Sequence, residues 1–268
     1  MLNDFFIKTE AWTLCLLLLV LMLLFAYLGN KAGHMWRSKF RIPGSEDEKS
    51  GFGSLEAGLF GLFGFTLAIT FGMSVNRYDS NRNLIVEEAN DIGTAALRSD
   101  LYPDSIRNAF RMEFQQYLEK RIEYYEAGID LKRVYAARDS AARISAKLWD
   151  RAMFMSKQPG MLIPSNHMVP ALNTMIDITT TREINLKARI PDIIIASLFF
   201  LALIVTFVAG FGSKTIRRKD WIIIFGFAML TSLIIYITLD IGRPRRGLIT
   251  SAIGQEAMVE LRSMFSTP

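Results

Sequence analysis

Four long stretches of the chain are almost free of charged residues. They cover residues 11–28, 55–75, 193–211 and 221–239. A helix rises about 1.5 Å per residue, so about 20 residues cross the hydrocarbon core of a bilayer. Each stretch is long enough for this, and Trp12, Trp36 and Trp221 lie at or near their ends, as interfacial tryptophans do. The pattern predicts four transmembrane helices.

The polar residues between the second and third stretches have the periodicity of helices. No proline occurs from residue 55 to residue 98, and an apolar face continues past the membrane segment, so the second transmembrane helix is expected to extend as a stalk. Prolines and glycines then divide the chain, and a loop is expected between Pro164 and Pro170. Three further helices are predicted at about 104–127, 131–157 and 171–189.

These segments predict an all-α integral membrane protein, with four transmembrane helices in two hairpins and an inserted helical-bundle soluble domain. A polar linker, residues 29–54, joins the first two helices. The expected parts are the first hairpin at 1–75, the soluble domain at 76–190, the second hairpin at 191–239 and a C-terminal tail at 240–268. Within the tail an amphipathic helix is predicted after Ser251, with its apolar face formed by Ile253, Ala257, Leu261 and Met264.

Charge and composition narrow the function. The net charge is +5, but the basic residues lie mostly beside the membrane segments, which favours membrane lipid as the partner and not nucleic acid. The chain has no glycine-rich phosphate loop and no His-Glu-x-x-His motif, and its two histidines, His34 and His167, fall in predicted loops. We therefore expect neither an enzyme nor a cofactor or metal. Cys15 is the only cysteine, so no internal disulfide forms.

The second stretch differs from the others in its many small residues. Glycine and alanine recur at helical spacing, at Gly53, Ala57, Gly61, Gly64, Ala68 and Gly72. Small side chains let helix backbones approach closely in lipid, where burial of apolar surface does not drive association. The helix-packing residues are therefore predicted to be Gly61, Gly64, Ala68 and Gly72.

A stripe of hydroxyl side chains runs along the same stretch, at Thr66, Thr70, Ser74 and Tyr78. In one interpretation both stripes pack helices within a subunit, and each hydroxyl bonds the carbonyl one turn back. In the other, copies of the helix surround an axis, the hydroxyls line a wet path and a phenylalanine forms a dewetting constriction. The pore-lining residues would then be Glu56, Phe60, Phe63, Thr66, Thr70, Ser74 and Arg77. Arg77 would favour anions and Glu56 cations, so the charge selectivity stays open.

The segment that follows is dense in charge, from Arg77 to Asp91. Glu87 and Asp91 lie one helical turn apart, which is compatible with a cation site. A solvated face, or ion pairs between helices, is the more common role of such a segment.

Two motifs resemble the prokaryotic bestrophin-like integral membrane protein family. Asn-Arg-Tyr-Asp at 76–79, Arg82 and the stretch 86–98 resemble that family's stalk. Leu-Asp-Ile-Gly-Arg-Pro at 239–244, followed by Gly247, resembles its Asp-x-x-Arg-Pro-x-x-Gly motif. The order of two hairpins around a helical insert agrees over the whole chain.

The resemblance implies kinship with bestrophins, pentameric anion channels whose second membrane helix lines the pore. It implies a homo-oligomer, a tetramer or pentamer, that conducts small inorganic ions in a bacterial plasma (inner) membrane. The chain lacks the bestrophin tryptophan pair after the pore helix, and the acidic C-terminal segment that binds calcium, so calcium gating is not expected. Bestrophins keep the soluble domain in the cytosol, whereas the excess of Lys and Arg in the two hairpin loops favours a position outside, so the side of the domain stays open.

Together these observations predict an oligomeric bestrophin-like ion channel, anion-conducting, with its pore lined by the second membrane helix. The alternative is a non-conducting membrane-anchored interaction or sensory protein whose helical domain binds a partner.

Overall fold

A computed structural model describes residues 9–40, 49–188, 190–213, 218–243 and 252–266. Within these ranges all the regular structure is helical, as the sequence predicts. In chain order the α-helices are α1 (Ala11–Phe40), α2 (Lys49–Arg98), α3 (Asp104–Glu126), α4 (Leu131–Ser156), α5 (Leu162–Lys187), α6 (Asp192–Gly212), α7 (Arg218–Ile241), α8 (Ala252–Glu260) and α9 (Ser263–Ser266), with a 3-10 helix at Ser99–Leu101 between α2 and α3.

Four runs of helix are long and apolar enough to cross a membrane, and they identify a membrane-embedded protein. They lie within Ala11–Lys39, Gly53–Leu101, Leu162–Gly212 (a stretch that holds both α5 and α6) and Asp220–Ile241. The predicted continuation of the second membrane helix is confirmed, since α2 runs unbroken to Arg98.

Contacts between residues divide the chain into two compact units. The membrane unit comprises Met1–Asn76 and Ile190–Gly242, and the second unit comprises Arg77–Arg189 and Arg243–Pro268. Helix α2 contributes residues to both.

In the membrane unit α1 packs extensively against α6, so that one helix from each predicted hairpin is in contact. A Cβ atom added at Gly29 or Gly33 would collide with the main chain of α6, and one at Gly210 would collide with the carbonyl of Ala26. Three glycines therefore set how closely the two backbones approach. Gly29 and Gly33 form a Gly-x-x-x-Gly pair, the spacing typical of close helix contact in lipid.

The prediction that residues 29–54 form a polar linker is wrong, because α1 continues to Phe40 and α2 begins at Lys49. Polar residues of this extension of α1 donate hydrogen bonds to carbonyls at the end of α6. Asn30 Nδ2 donates to the carbonyl of Ser213 at 3.1 Å, and Arg37 donates to the carbonyls of Phe211 at 3.0 Å and Ser213 at 2.7 Å. These hydrogen bonds are favourable because the last carbonyls of a helix have no partner within the helix. A cation at that end also interacts favourably with the helix dipole.

In the second unit, the predicted helices after Pro103 and after Asp130 are confirmed as α3 and α4, each within a residue of its expected end. The loop predicted between Pro164 and Pro170 is wrong, since α5 begins at Leu162 and contains both prolines. Pro164 occupies the first turn, where the missing N–H has no helical partner in any case. Pro170 costs one helical hydrogen bond, but Met168 and Leu172 on either side of it are fully buried.

The tail also packs in the second unit. Helix α8 forms where the sequence predicts an amphipathic helix, and Ala257, Leu261 and Met264 lie against the core as expected. The side chain of the fourth predicted residue, Ile253, lies outside the described residues. Met258, which the predicted face omits, is completely buried.

Candidate functional site

The small residues of α2 form an open face in the membrane unit. A Cβ atom at Gly61, Gly64 or Gly72 would meet no atom of the described chain within 4 Å, and Ala68 is exposed. The interpretation in which these residues pack helices within the subunit therefore does not hold at the three glycines. Their role as helix-packing residues stays a prediction for contacts between chains.

Two phenylalanines of α2, Phe60 and Phe63, lie on another face, which the chain itself covers. Phe60 and Phe63 both make edge contacts with Phe227 of α7, with ring centroids 5.4 and 6.2 Å apart. Phe63 is only 3% exposed and belongs to the apolar core of the membrane unit. An aromatic cluster of Phe60, Phe63 and Phe227 therefore joins α2 to α7.

The hydroxyl stripe partly shares this covered face. Thr70 and Ser74 follow Phe63 at helical spacing and are buried, 1% and 0% exposed. Thr66 and Thr70 donate to the carbonyls one turn back, at 2.8 and 2.7 Å, as the packing interpretation expects. Ser74 differs, because its Oγ is buried and has no hydrogen-bond partner among the described residues.

The remaining pore-lining candidates are less buried. Glu56 is half-buried in the membrane unit, and Arg77 is half-buried and belongs to the second unit. The structure thus brings Phe60, Phe63 and the deeper hydroxyls onto one covered face of α2. The small residues lie on the open face.

A buried charge cluster lies in the second unit, where α2, α3 and α5 meet. The Glu88 carboxylate is completely buried and accepts from Arg121 Nε on one oxygen and Arg182 Nη1 on the other. Tyr125 Oη also donates to Glu88, at 2.8 Å. The Arg182 guanidinium lies 4.6 Å from the ring centroid of Tyr125, and the Arg121 guanidinium lies 4.7 Å from that of Tyr124. These contacts combine charge pairing with cation–π stacking.

The charges set the ionisation of the cluster. Burial alone would raise the pKa of Glu88, but the two arginines more than offset it and hold that pKa below its usual range. Burial acts in the opposite sense on the guanidiniums. It lowers the pKa of Arg182, whereas the Glu88 carboxylate keeps the pKa of Arg121 raised. The carboxylate is therefore ionised and paired.

The environment of Asp91, one turn beyond Glu88, raises the pKa of its carboxyl, whereas that of Glu88 lowers it. Its Oδ2 is buried without a hydrogen-bond partner in the described ranges. Burial first, and then the charges of Glu87 and Glu88, raise the pKa of Asp91. No group of three or more His, Cys, Asp or Glu side chains suited to a metal occurs in the part of the chain that the structure describes.

The prediction of ion pairs between helices in the charge-dense segment is confirmed at Glu88. Its partners were missed, because Arg121 and Arg182 are far away in sequence. One signal was available: Arg121 continues the apolar face of Phe114, Tyr117 and Leu118 in α3, all of which are buried. A charge at such a position indicates a buried partner.

Fold and site together define a membrane-embedded helical protein with a second, charge-paired helical unit. Neither a family model, a curated protein nor a solved structure matches the chain.

Proposed function

We propose that the protein is an oligomeric ion channel in which two faces of α2 have separate roles. The open small-residue face joins neighbouring subunits, and the covered face borders the path of the ion. The proposal includes the two-hairpin arrangement, an inserted soluble domain and a bacterial plasma (inner) membrane. It depends most on one observation, the open face of Gly61, Gly64 and Gly72.

The argument for assembly is one of packing in lipid. A row of glycines offers lipid little side-chain contact, but it lets a second helix approach closely enough for extensive van der Waals contact. Glycine also costs about 1 kcal/mol relative to alanine in a helix interior. Three glycines on one open face are therefore expected where the backbone of a second helix must approach closely. A neighbouring copy of α2 fits this requirement.

The argument for conduction rests on the covered face. Phe60, Phe63 and Phe227 form a packed aromatic cluster, and Thr70 and Ser74 are buried on the same face of α2. We take this cluster as the apolar constriction of the proposed path. A narrow aromatic passage that leads to hydroxyls is the arrangement by which hydrophobic gates exclude water and ions. The path is thus proposed to run beside α2 against α7. The bestrophin resemblance favours small anions.

Conductance in planar bilayers tests this proposal. Phe63→Ala and Phe60→Ala should raise the single-channel open probability or conductance, because each removes part of the aromatic constriction. Phe65→Ala is the matched control, since Phe65 is 66% exposed and lies outside the cluster. If the wild type and both constriction variants show no conductance, the channel proposal is wrong. An equal effect of Phe65→Ala would place the constriction elsewhere.

The alternative, a membrane-anchored interaction or sensory protein, is favoured by exposed apolar side chains in the second unit. Phe154, Leu162 and Ile163 are 64%, 64% and 71% exposed around the connection between α4 and α5. Apolar groups gathered in this way are typical of a binding surface. Chemical cross-linking in mild detergent separates the two functions: a monomer or dimer favours the anchored protein, and an oligomer of four or five favours the channel.

A further inference from the structure

A shallow groove of about 390 Å³ lies in the second unit, where the end of α2 meets the start of α5. It is lined by Thr94, Leu97, Arg98, Leu101 and His167. Leu97 and Leu101 present much of their surface to solvent, 55% and 49% exposed. The groove therefore has aliphatic walls and a cationic side chain.

Arg98 is held in one orientation by His167. Its Nη1 donates to the His167 carbonyl and to His167 Nδ1, both at 3.1 Å. A guanidinium has no acceptor, so Nδ1 must be the acceptor and the ring proton lies on Nε2. The other edge of the guanidinium, Nε and Nη2, has no partner among the described residues.

That free edge has the geometry for a carboxylate. Two parallel N–H groups of arginine bind the two oxygens of a carboxylate in a fork, which is stronger than a single neutral hydrogen bond. Because His167 already fixes the side chain, little rotamer entropy is lost when a ligand binds. The leucines beside it would take up an apolar chain.

We propose that this groove binds an aliphatic carboxylate, such as a free fatty acid, with the head on Arg98 and the chain along Leu97 and Leu101. Ile163, one turn before His167 in α5, is also an exposed apolar residue. A ligand with one polar head and a plain chain matches the groove. The site does not depend on ion conduction.

Binding to the full-length protein in lipid nanodiscs tests the inference, with empty nanodiscs as the background. Octanoate is the probe because it is water-soluble, and isothermal titration calorimetry gives its affinity. Acetate lacks the chain and octanol lacks the carboxylate. Octanoate should bind saturably, and both other compounds should bind at least tenfold more weakly.

Variants locate the site. Arg98→Gln should weaken octanoate binding at least tenfold, and Leu101→Asp should do the same by placing a like charge beside the chain. Arg138→Gln is the control, because Arg138 is exposed on α4, where it pairs with Asp139 and lies over the ring of Tyr135. Far-ultraviolet circular dichroism checks that each variant keeps its helix content. The inference is overturned if octanoate shows no saturable binding, if octanol binds equally well, or if a folded Arg98→Gln protein binds octanoate like the wild type.

Discussion

At the residue scale, Glu88 is the charge on which the second unit depends most. Replacing it by glutamine leaves Arg121 and Arg182 buried without a counter-ion, and removing one partner of a buried pair costs about 3–5 kcal/mol. We expect Glu88→Gln to lower the free energy of unfolding of the second unit by that amount, measured by chemical denaturation. Glu123→Gln is the control, because Glu123 pairs with Lys120 at the surface and such pairs contribute about 0–1 kcal/mol.

The pH dependence of Glu88 follows from its lowered pKa. A carboxyl whose pKa is lower in the folded protein stabilises the fold above its unfolded value, here 4.5, and loses that contribution as the pH falls through the folded value. Wild type should therefore lose stability below about pH 4.5 more steeply than Glu88→Gln. Equal acid denaturation curves for the two proteins would contradict the pairing.

Asp91 should respond in the opposite direction. Its pKa is raised, so the ionised carboxylate destabilises the fold above its unfolded value of 3.8, and protonation relieves this as the pH falls. Asp91→Asn is expected to unfold at a higher denaturant midpoint than wild type at neutral pH. The difference should shrink as the pH is lowered. A variant less stable than wild type at pH 7 would show that the carboxylate has a partner.

What the sequence tells us about single residues is which of them share a helical face. Helical spacing identified Thr70 and Ser74 as one stripe of α2, and the channel interpretation added Phe60 and Phe63 as a constriction, but periodicity does not say what a face meets. The structure places these four against the protein's own core, and the small residues are left open. Which face of α2 is covered depends on where α6 and α7 lie in space. Because these helices are distant in sequence, the periodicity of α2 does not predict it.

At the element scale, the packing of α1 on α6 makes a direct prediction. A Cβ on Gly29 would collide with the main-chain carbonyl of Phe207, which no side-chain rotation can relieve. Overpacking of this kind costs about 1–3 kcal/mol. We expect Gly29→Ala to lower the thermal midpoint of the detergent-solubilised protein. Gly226→Ala in α7 should leave it unchanged or raise it slightly, since a Cβ there meets nothing within 4 Å among the described atoms.

The boundaries of α1 and α5 were predicted less well than those of α3 and α4, which lie within a residue of their expected positions. Hydropathy alone ends the first helix near residue 28, although α1 continues to Phe40 because Gly33 and Arg37 pack against the end of α6. In the same way, Pro164 and Pro170 suggested a loop, but tertiary packing of Met168 and Leu172 keeps that segment helical. A residue that disfavours helix stays helical where the burial of neighbouring side chains contributes more free energy than the local conformational preference costs.

At the scale of the whole molecule, hydropathy and periodicity were sufficient to predict four membrane-length helices and an otherwise helical chain. The contacts that organise each unit were not predictable, because they join residues distant in sequence, as Glu88 joins Arg182. The proposed assembly could not be predicted from one chain at all, since no described atom lies within 4 Å of a Cβ added at Gly61, Gly64 or Gly72 on the open face of α2. The account therefore depends on how many chains come together.

The most direct test of the proposed assembly through the open face of α2 is the number of subunits. Native mass spectrometry of the protein released from mild detergent measures it. We predict a tetramer or pentamer for wild type and smaller species for Gly64→Leu, whose side chain would hold two copies of α2 apart. Gly226→Leu, an equal change at an open glycine of α7, should keep the wild-type mass. A folded wild type that is monomeric, or a Gly64→Leu protein that assembles like wild type, would contradict assembly through this face.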